Sequence, residues 1–164
     1  MPHQRSIKYQ VGFTLIELLV VISIIAILSV IGLVSYQLVL KNGRDAKRQS
    51  DLRTVQSALE QYRTDLYFYP SAITFGQPLT SSTGNPSPPP TTRTYVNTLP
   101  ENPLPSPQPQ YKYDRKPDTC DNAALGKCTS YCLWAKMENT SSSPPPAPCP
   151  STIPAPYNYG ITSP

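Results

Sequence analysis

The sequence predicts an α+β protein in which one long N-terminal helix packs against a small antiparallel sheet with proline-rich loops. From Phe13 to Leu40 the chain contains no Lys, Arg or Asp, and Glu17 is the only full charge. No proline interrupts the chain from Phe13 until Pro70, so a single helix can continue beyond the apolar run. After Pro70 the chain is rich in proline, and short segments alternate aromatic and polar residues, a pattern typical of strands.

The apolar run 18–34 is long enough to cross a bilayer, which requires about 20 residues at a rise of 1.5 Å each. A carboxylate near the end of such a segment, here Glu17, costs roughly 2.5–3.5 kcal/mol on insertion scales. A function is therefore expected for Glu17. The alternative is that this carboxylate lies at the headgroup boundary and is simply solvated.

The second half of the predicted helix is amphipathic. Apolar residues recur at three- and four-residue steps, which indicates one buried face: Leu52, Val55, Leu59, Tyr62 and Leu66. The charged residues are expected on the opposite, solvated face: Arg44, Asp45, Lys47, Arg48, Asp51, Arg53, Glu60 and Arg63. A helix from Phe13 to about Leu66 would be about 80 Å long. The aromatic residues 67–69 are expected to pack against the sheet that follows.

The region after Pro70 is expected to form a few short strands between long loops. Residues 71–92 are polar and rich in Pro, Ser and Thr, and little reason for them to fold is visible. Strands are predicted around 94–96, 110–114, 130–138 and 157–161, at the positions of alternating aromatic and polar residues. In the third of these, Tyr131, Leu133, Ala135 and Met137 would share one face, and Cys132, Trp134, Lys136 and Glu138 would share a solvated outer face. Residues 140–156 form a second proline-rich excursion.

Four cysteines lie in the last third of the chain: Cys120, Cys128, Cys132 and Cys149. Their even number, the membrane-targeting N-terminus and the small core favour disulfide bonds in an oxidising compartment. Zinc is the alternative, but only Cys128 and Cys132 approach the spacing of paired zinc ligands. Of the three pairings that four cysteines permit, we expect Cys120–Cys128 and Cys132–Cys149.

The N-terminus does not follow the plan of an ordinary signal peptide. The leader, residues 1–12, is short and polar, and the small residue Gly12 precedes the apolar run instead of following it. The stretch Gly12-Phe-Thr-Leu-Ile-Glu-Leu-Leu19 resembles the prepilin signature of type IV pilins and type II secretion pseudopilins. The resemblance implies cleavage between Gly12 and Phe13 by a prepilin peptidase and N-methylation of Phe13. It also implies that Glu17 pairs with the new amine of Phe13 on a neighbouring subunit during assembly.

A basic cluster follows the apolar run: Lys41, Arg44, Lys47, Arg48 and Arg53. By the positive-inside rule this cluster would place its end of the helix in the cytoplasm. The cysteines and the prepilin signature place the C-terminal part outside, and they are the more specific signals. The cluster is interpreted as a solvated helix face, with a contact to another subunit or to a polyanion as the alternative.

A turn in the C-terminal part raises the question of calcium. Leu99-Pro-Glu-Asn-Pro103 resembles the Leu-Pro-x-Asp-Pro turn of major pseudopilins and related short pilins, where the region in some members contributes to a calcium site. Here Asn102 replaces the aspartate. The carboxylates of Asp114, Asp118 and Asp121 match no known calcium-loop spacing. No metal or other cofactor is therefore expected.

No catalytic set is visible either. The single histidine, His3, lies in the leader, so neither a Ser-His-Asp set nor a Cys-His pair can be assembled from the mature chain. The formal net charge of +4 is mild and does not amount to the basic field of nucleic-acid-binding proteins. The sequence thus indicates a structural protein and no enzyme.

The expected organisation is a leader (1–12), a transmembrane and polymerisation half-helix (13–40), an amphipathic half-helix (41–69) and a small C-terminal β domain (70–164). The expected function is that of a filament subunit whose partners are identical or related pilin subunits, the prepilin peptidase and an inner-membrane assembly platform. Before assembly the chain would cross the membrane once, with its C-terminal domain extracytoplasmic; afterwards it would lie in a cell-surface filament. The alternatives are a type II secretion pseudopilin, an anchored protein that never polymerises, and a DNA-uptake pilin that uses the basic helix face and the tyrosines.

Overall fold

The computed structural model describes residues 12–104, 108–139, 147, 149–150 and 152–164, apart from the side chain of Val34. The leader is thus described only at Gly12, and most of the second proline-rich excursion lies outside the described residues. The chain divides into two compact units, Met1–Leu40, called unit 1, and Lys41–Pro164, called unit 2.

One helix, α1 (Leu15–Leu66), runs from unit 1 into unit 2. The sequence-based prediction of a single helix from about Phe13 to Leu66 is confirmed. Within unit 1, every described side chain of the helix is exposed, although most of these side chains are large and apolar. By length and composition α1 contains a segment that could cross a membrane.

The core of unit 2 is built on the apolar stripe of α1. Leu52, Val55, Leu59 and Tyr62 are fully buried, as the three- and four-residue spacing predicts. They pack into one cluster with side chains from the strands and loops that follow: Tyr69, Leu79, Leu99, Tyr111, Tyr131 and Leu133. Several of these are tyrosines, so the core combines apolar surface with hydroxyl groups that require partners.

Five short strands form two antiparallel sheets. A two-stranded sheet pairs β1 (Leu79–Thr80) with β2 (Thr94–Val96). A three-stranded sheet has the order β3–β4–β5, with β3 at Lys112–Lys116, β4 at Ser130–Ala135 and β5 at Tyr159–Thr162. The predicted α+β class is confirmed, and the arrangement is consistent with the pilin fold.

The prediction that residues 71–92 have little reason to fold is wrong. Leu79 is fully buried and starts β1. Ser81 is also buried, and its hydroxyl accepts a hydrogen bond from the backbone N–H of Arg93 at 3.0 Å. The N–H of Ser71 donates to the carbonyl of Gly84 at 3.1 Å. One apolar anchor and a set of local hydrogen bonds therefore order a segment whose composition suggests a loose loop.

The outer face of β4 is also different from the prediction. Cys132 and Trp134 were expected to face solvent, but both are fully buried, as are Tyr131 and Leu133 on the other face. The outer pair packs with Cys149, and two partly buried side chains cover it: Ile153 and Tyr157. The bond between Cys132 and Cys149 attaches this covering segment to β4.

The charged face of α1 is only partly solvated. Asp45, Arg48 and Asp51 were expected on the exposed face, but their exposed fractions are 8%, 0% and 2%. β4 also ends at Ala135, before the predicted end at residue 138, and Glu138 turns to the helix. These buried charges form a cluster with long-range partners, which helical periodicity alone does not reveal.

The helix ends as the aromatic-proline pattern predicts. The N–H of Tyr67 donates to the carbonyl of Arg63 at 2.7 Å, and Tyr67 adopts a left-handed conformation with φ of 66°. Phe68 and Tyr69 are buried in the core of unit 2, but Tyr67 is 88% exposed. The expectation that all three aromatic residues pack inward is therefore correct for two of them.

Candidate processing and assembly site

The predicted processing and assembly residues lie together at the start of α1. Thr14 precedes the helix, and Glu17 is its third residue. The carboxylate oxygen Oε2 of Glu17 accepts hydrogen bonds from the backbone N–H of Thr14 at 2.8 Å and from its hydroxyl at 2.7 Å. In return, the N–H of Glu17 lies 3.3 Å from the Thr14 hydroxyl oxygen.

These reciprocal hydrogen bonds are a capping box, in which the N-cap residue and the third helical residue satisfy each other's free donors. The negative charge of Glu17 also lies in the first helical turn, where the helix dipole favours an anion. Glu17 therefore has a partner within its own chain. The sequence-based prediction does not include Thr14, although the pattern Thr-x-x-Glu before an apolar run is itself a sequence signal for a capping box.

The surroundings of Glu17 are apolar and open. Phe13, Ile16, Val20 and Val21 line a shallow groove of about 330 Å³ beside the carboxylate. Phe13 is 86% exposed, so the residue that cleavage would make the new terminus is accessible. The predicted cleavage residues, Gly12 and Phe13, directly precede α1, and the predicted assembly carboxylate, Glu17, lies in its first turn.

The rest of unit 1 presents a continuous apolar surface. From Leu15 to Val39, leaving Val34 aside, large aliphatic side chains are roughly half or more exposed on all sides of the helix. Two of the three serines in this run have internal partners, since Ser23 donates to the carbonyl of Val20 and Ser29 to that of Ile25, each at 2.7 Å. An apolar surface of this extent requires lipid or other protein chains around it.

A comparison with protein families matches residues 7–33 to the prokaryotic N-terminal methylation motif. The match includes Gly12, Phe13 and Glu17. The chain carries the signature of type IV pilins and pseudopilins. Comparisons with curated proteins and with solved structures find no match.

The motif is the signature of type IV pilin-like and pseudopilin proteins, and the match covers residues 7–33 alone. It implies processing by a prepilin peptidase and assembly with pilin subunits in general. The apolar helix and the motif together are consistent with a membrane-anchored protein.

The cysteines are joined in the pairing that was expected. Cys120 is bonded to Cys128 and Cys132 to Cys149, across sequence separations of 8 and 17 residues. All four cysteines are buried. With every cysteine in a disulfide bond, none is free to bind zinc.

The residues suggested by the pilin-type calcium region do not fit a calcium ion. The amide oxygen of Asn102 accepts hydrogen bonds from Nε of Arg48 at 3.1 Å and from the N–H of Leu104 at 3.2 Å, so a guanidinium cation already faces it. Asp114 and Asp118 are paired with Lys112 and Lys116. Within residues 12–104, 108–139 and the short described stretches after them, no group of three His, Cys, Asp or Glu side chains converges.

The basic cluster after the apolar run is largely neutralised inside unit 2. Arg44 pairs with Glu138 at 2.6 Å, Lys47 with Asp51 at 2.7 Å and Arg48 with Asp45 at 2.7 Å. The interpretation as a solvated basic face is therefore wrong for Arg48, which is fully buried, and only partly right for Arg44, whereas Lys47 is solvated as expected. The pairing also reduces the positive potential that a polyanion contact would require.

Proposed function

We propose that the chain is the structural subunit of a type IV pilus-like filament. The observation that carries this proposal is the position of Glu17, a capped carboxylate in the first turn of α1, beside the large exposed apolar side chains of unit 1. Cleavage after Gly12 would turn Phe13 into a terminal amine one helical turn from that carboxylate. Neither charge is tolerated alone in hydrocarbon, and each gains from a partner.

The charge pair would set the register of assembly. Lipid is as apolar as the side chains of unit 1, so moving the helix from the bilayer into a filament brings little hydrophobic gain. Specificity must then come from shape and from the few polar groups. A pair between Glu17 of one subunit and the Phe13 amine of the next would form only at one axial offset.

Thr14 supports the same mechanism by holding Glu17 before assembly. Its hydroxyl and N–H donate to one oxygen, Oε2, and leave Oε1 without a partner among the described residues. One carboxylate oxygen is thus held by its own chain while the other is available for an amine from a neighbour. The prepilin peptidase and an inner-membrane assembly platform are the proposed partners that process and extract the subunit.

The proposed location follows from the same features. Before assembly, residues 13–40 cross the membrane once and the β domain from residue 70 lies outside the cytoplasm, where its two disulfide bonds form. After assembly the subunit lies in a surface filament. A type II secretion pseudopilin shares these features, and the ordered surface loops with their disulfide bonds favour a displayed pilus. The internal pairing of the basic cluster argues against DNA uptake through the helix face.

Two variants of Glu17 test the proposal. Glu17→Ala removes the charge and the capping box, whereas Glu17→Gln removes only the charge, because glutamine also forms a capping box. Both variants are expected to stay in the membrane fraction and to be absent from sheared filaments. Thr14→Val, which keeps the carboxylate, is the matched control and is expected to form filaments, in lower yield.

Mass spectrometry of the mature chain accompanies this assay. The expected N-terminus is N-methylated Phe13. Normal filaments from Glu17→Gln would contradict the charge pair, and an uncleaved leader in the wild-type chain would exclude pilin processing altogether.

A further inference from the structure

A buried charge cluster in unit 2 is independent of the assembly site. Its centre is Arg48, whose side chain is fully buried. Oxygen atoms from three separate segments meet this guanidinium: Asp45 on α1, Asn102 in the turn after Leu99, and Glu138 after the end of β4. The cluster therefore connects the helix, a long loop and the sheet.

The distances show direct contacts to all three oxygens. Nη1 of Arg48 lies 2.7 Å from Oδ1 of Asp45 and 3.0 Å from Oε1 of Glu138. Nε lies 3.1 Å from Oδ1 of Asn102. Arg44 adds a second, bidentate contact to Glu138, with both distances 2.6 Å.

The oxygens are themselves held in place by backbone groups. The two carboxylate oxygens of Asp45 accept the N–H groups of Glu138 and Asn139, each at 2.9 Å. The amide of Asn102 donates to the carbonyl of Pro109 at 2.7 Å. The oxygen groups are thus oriented from behind, as ligand groups in a cation site are.

A fully buried guanidinium is a costly way to connect three segments. Removing a charge from water costs several kcal/mol unless it is well paired, and a buried donor without a partner adds about 1–3 kcal/mol. Nη2 of Arg48 has no hydrogen-bond partner among the described residues. Apolar residues of similar volume often stabilise a fold as well as a buried ion pair does, or better. The oriented oxygen groups around Arg48 therefore resemble the ligand groups of a cation-binding site.

We propose that Arg48 is the built-in cation of this site. Several oxygen ligands around one buried cation are also the arrangement of a calcium site. Here the guanidinium connects the three segments, and the neutral oxygen of Asn102 leaves two carboxylates, Asp45 and Glu138, balanced by Arg48 and Arg44. Unit 2 consequently folds without calcium and resists chelators.

The first test uses the full-length mature wild-type protein in detergent. Thermal unfolding of unit 2 is followed by the fluorescence of Trp134, the single tryptophan of the chain. The melting temperature in millimolar calcium is expected to agree with that in excess EDTA to within about 1 °C. A clear rise with calcium, or a fall with EDTA, would overturn the proposal.

The second test removes the built-in cation. Arg48→Gln is expected to lower the melting temperature by more than about 8 °C, because the buried Asp45 loses its ion-pair partner while Glu138 keeps only Arg44. Arg53→Gln, an exposed arginine five positions further along α1, is the matched control and is expected to leave it unchanged. Arg48→Lys keeps the charge without the planar fork and is expected to melt between Arg48→Gln and the wild type. Equal melting of Arg48→Gln and Arg53→Gln would refute the assignment.

The third test converts the cluster into a metal site. Combining Arg48→Gln and Asn102→Asp with Arg44→Gln, which releases the Glu138 carboxylate from its second guanidinium, leaves three carboxylates around the space of Arg48. Calcium at millimolar concentration is expected to raise the melting temperature of this triple variant by roughly 4–8 °C, with a smaller effect of magnesium. No response to calcium would show that the cluster lacks the geometry of a cation site, and the proposal would fail. None of these outcomes depends on filament assembly.

Discussion

Among single residues, Glu138 shows most clearly how neighbouring groups change the pKa of a side chain. Hydrogen bonds from Arg44 and then Arg48 lower the pKa of its carboxyl from 4.5 to about 2. A carboxylate whose pKa is lowered in the folded state stabilises that state at pH values above its ordinary pKa. The stabilisation is therefore fully present above about pH 4.5 and is lost as the pH falls towards 2.

We expect acid to destabilise unit 2 through Glu138 in this interval. In Glu138→Gln the group cannot titrate, so the variant should be less stable than the wild type at pH 6 and should approach it at pH 2.5. Urea unfolding at several pH values, followed by Trp134 fluorescence, measures the difference. A difference that stays constant from pH 6 to pH 2.5 would mean that Glu138 does not titrate as its hydrogen bonds indicate.

Local sequence patterns predict some of these residue-scale features and not others. The capping box of Thr14 and Glu17 spans three positions, so the sequence alone contains its signal. Two of the three partners of Arg48, Asn102 and Glu138, lie 54 and 90 positions away along the chain. Helical periodicity places Arg48 on a charged face, and only the loops that fold over that face bury it.

Among the structural elements, the disulfide bond between Cys132 and Cys149 has the larger structural role. It closes a loop of 17 residues and holds the C-terminal tail over the outer face of β4, beside Trp134. The bond between Cys120 and Cys128 closes only 8 residues in a surface loop. Chain entropy predicts about 3 kcal/mol for the longer loop and somewhat less for the shorter one.

Replacing Cys132 and Cys149 by alanine should therefore lower the free energy of unfolding by at least about 3 kcal/mol. It should also shift Trp134 emission to longer wavelength, because the side chains that cover the indole lose their attachment. The Cys120→Ala/Cys128→Ala double variant is the matched control, with a smaller loss and unchanged emission. Equal losses and unchanged emission in both variants would contradict this role of the tail.

The helix and strand predictions differ in success for a physical reason. α1 has a period of 3.6 residues over many turns, and its core face of Leu52, Val55 and Leu59 follows from that period. β1 has two residues, and a segment this short shows no period that a sequence can reveal. Alternation in β4 correctly identifies a strand, but both of its faces are buried because a distant cysteine brings a covering segment.

At the scale of the whole molecule, the two units differ in where their apolar side chains lie. Among the described residues, every buried side chain belongs to unit 2, whereas unit 1 exposes its apolar residues throughout. The core cluster of unit 2 begins at Leu52 and includes no residue of unit 1. The separation follows from the sequence, since Glu17 is the only full charge from Phe13 to Leu40, whereas charged residues are frequent from Lys41 onward.

Residues 41–164 should consequently fold as a soluble monomer without residues 1–40. The shortened helix retains its buried stripe, and Asn42 is placed to act as a new N-cap. We expect cooperative unfolding within about 5 °C of the full-length protein in detergent, measured by circular dichroism, and a monomeric elution volume. A chain that begins at residue 53 is the matched control and should not fold, because it lacks Arg48 and Leu52. Aggregation or non-cooperative melting of residues 41–164 would show that unit 2 depends on the apolar half of the helix.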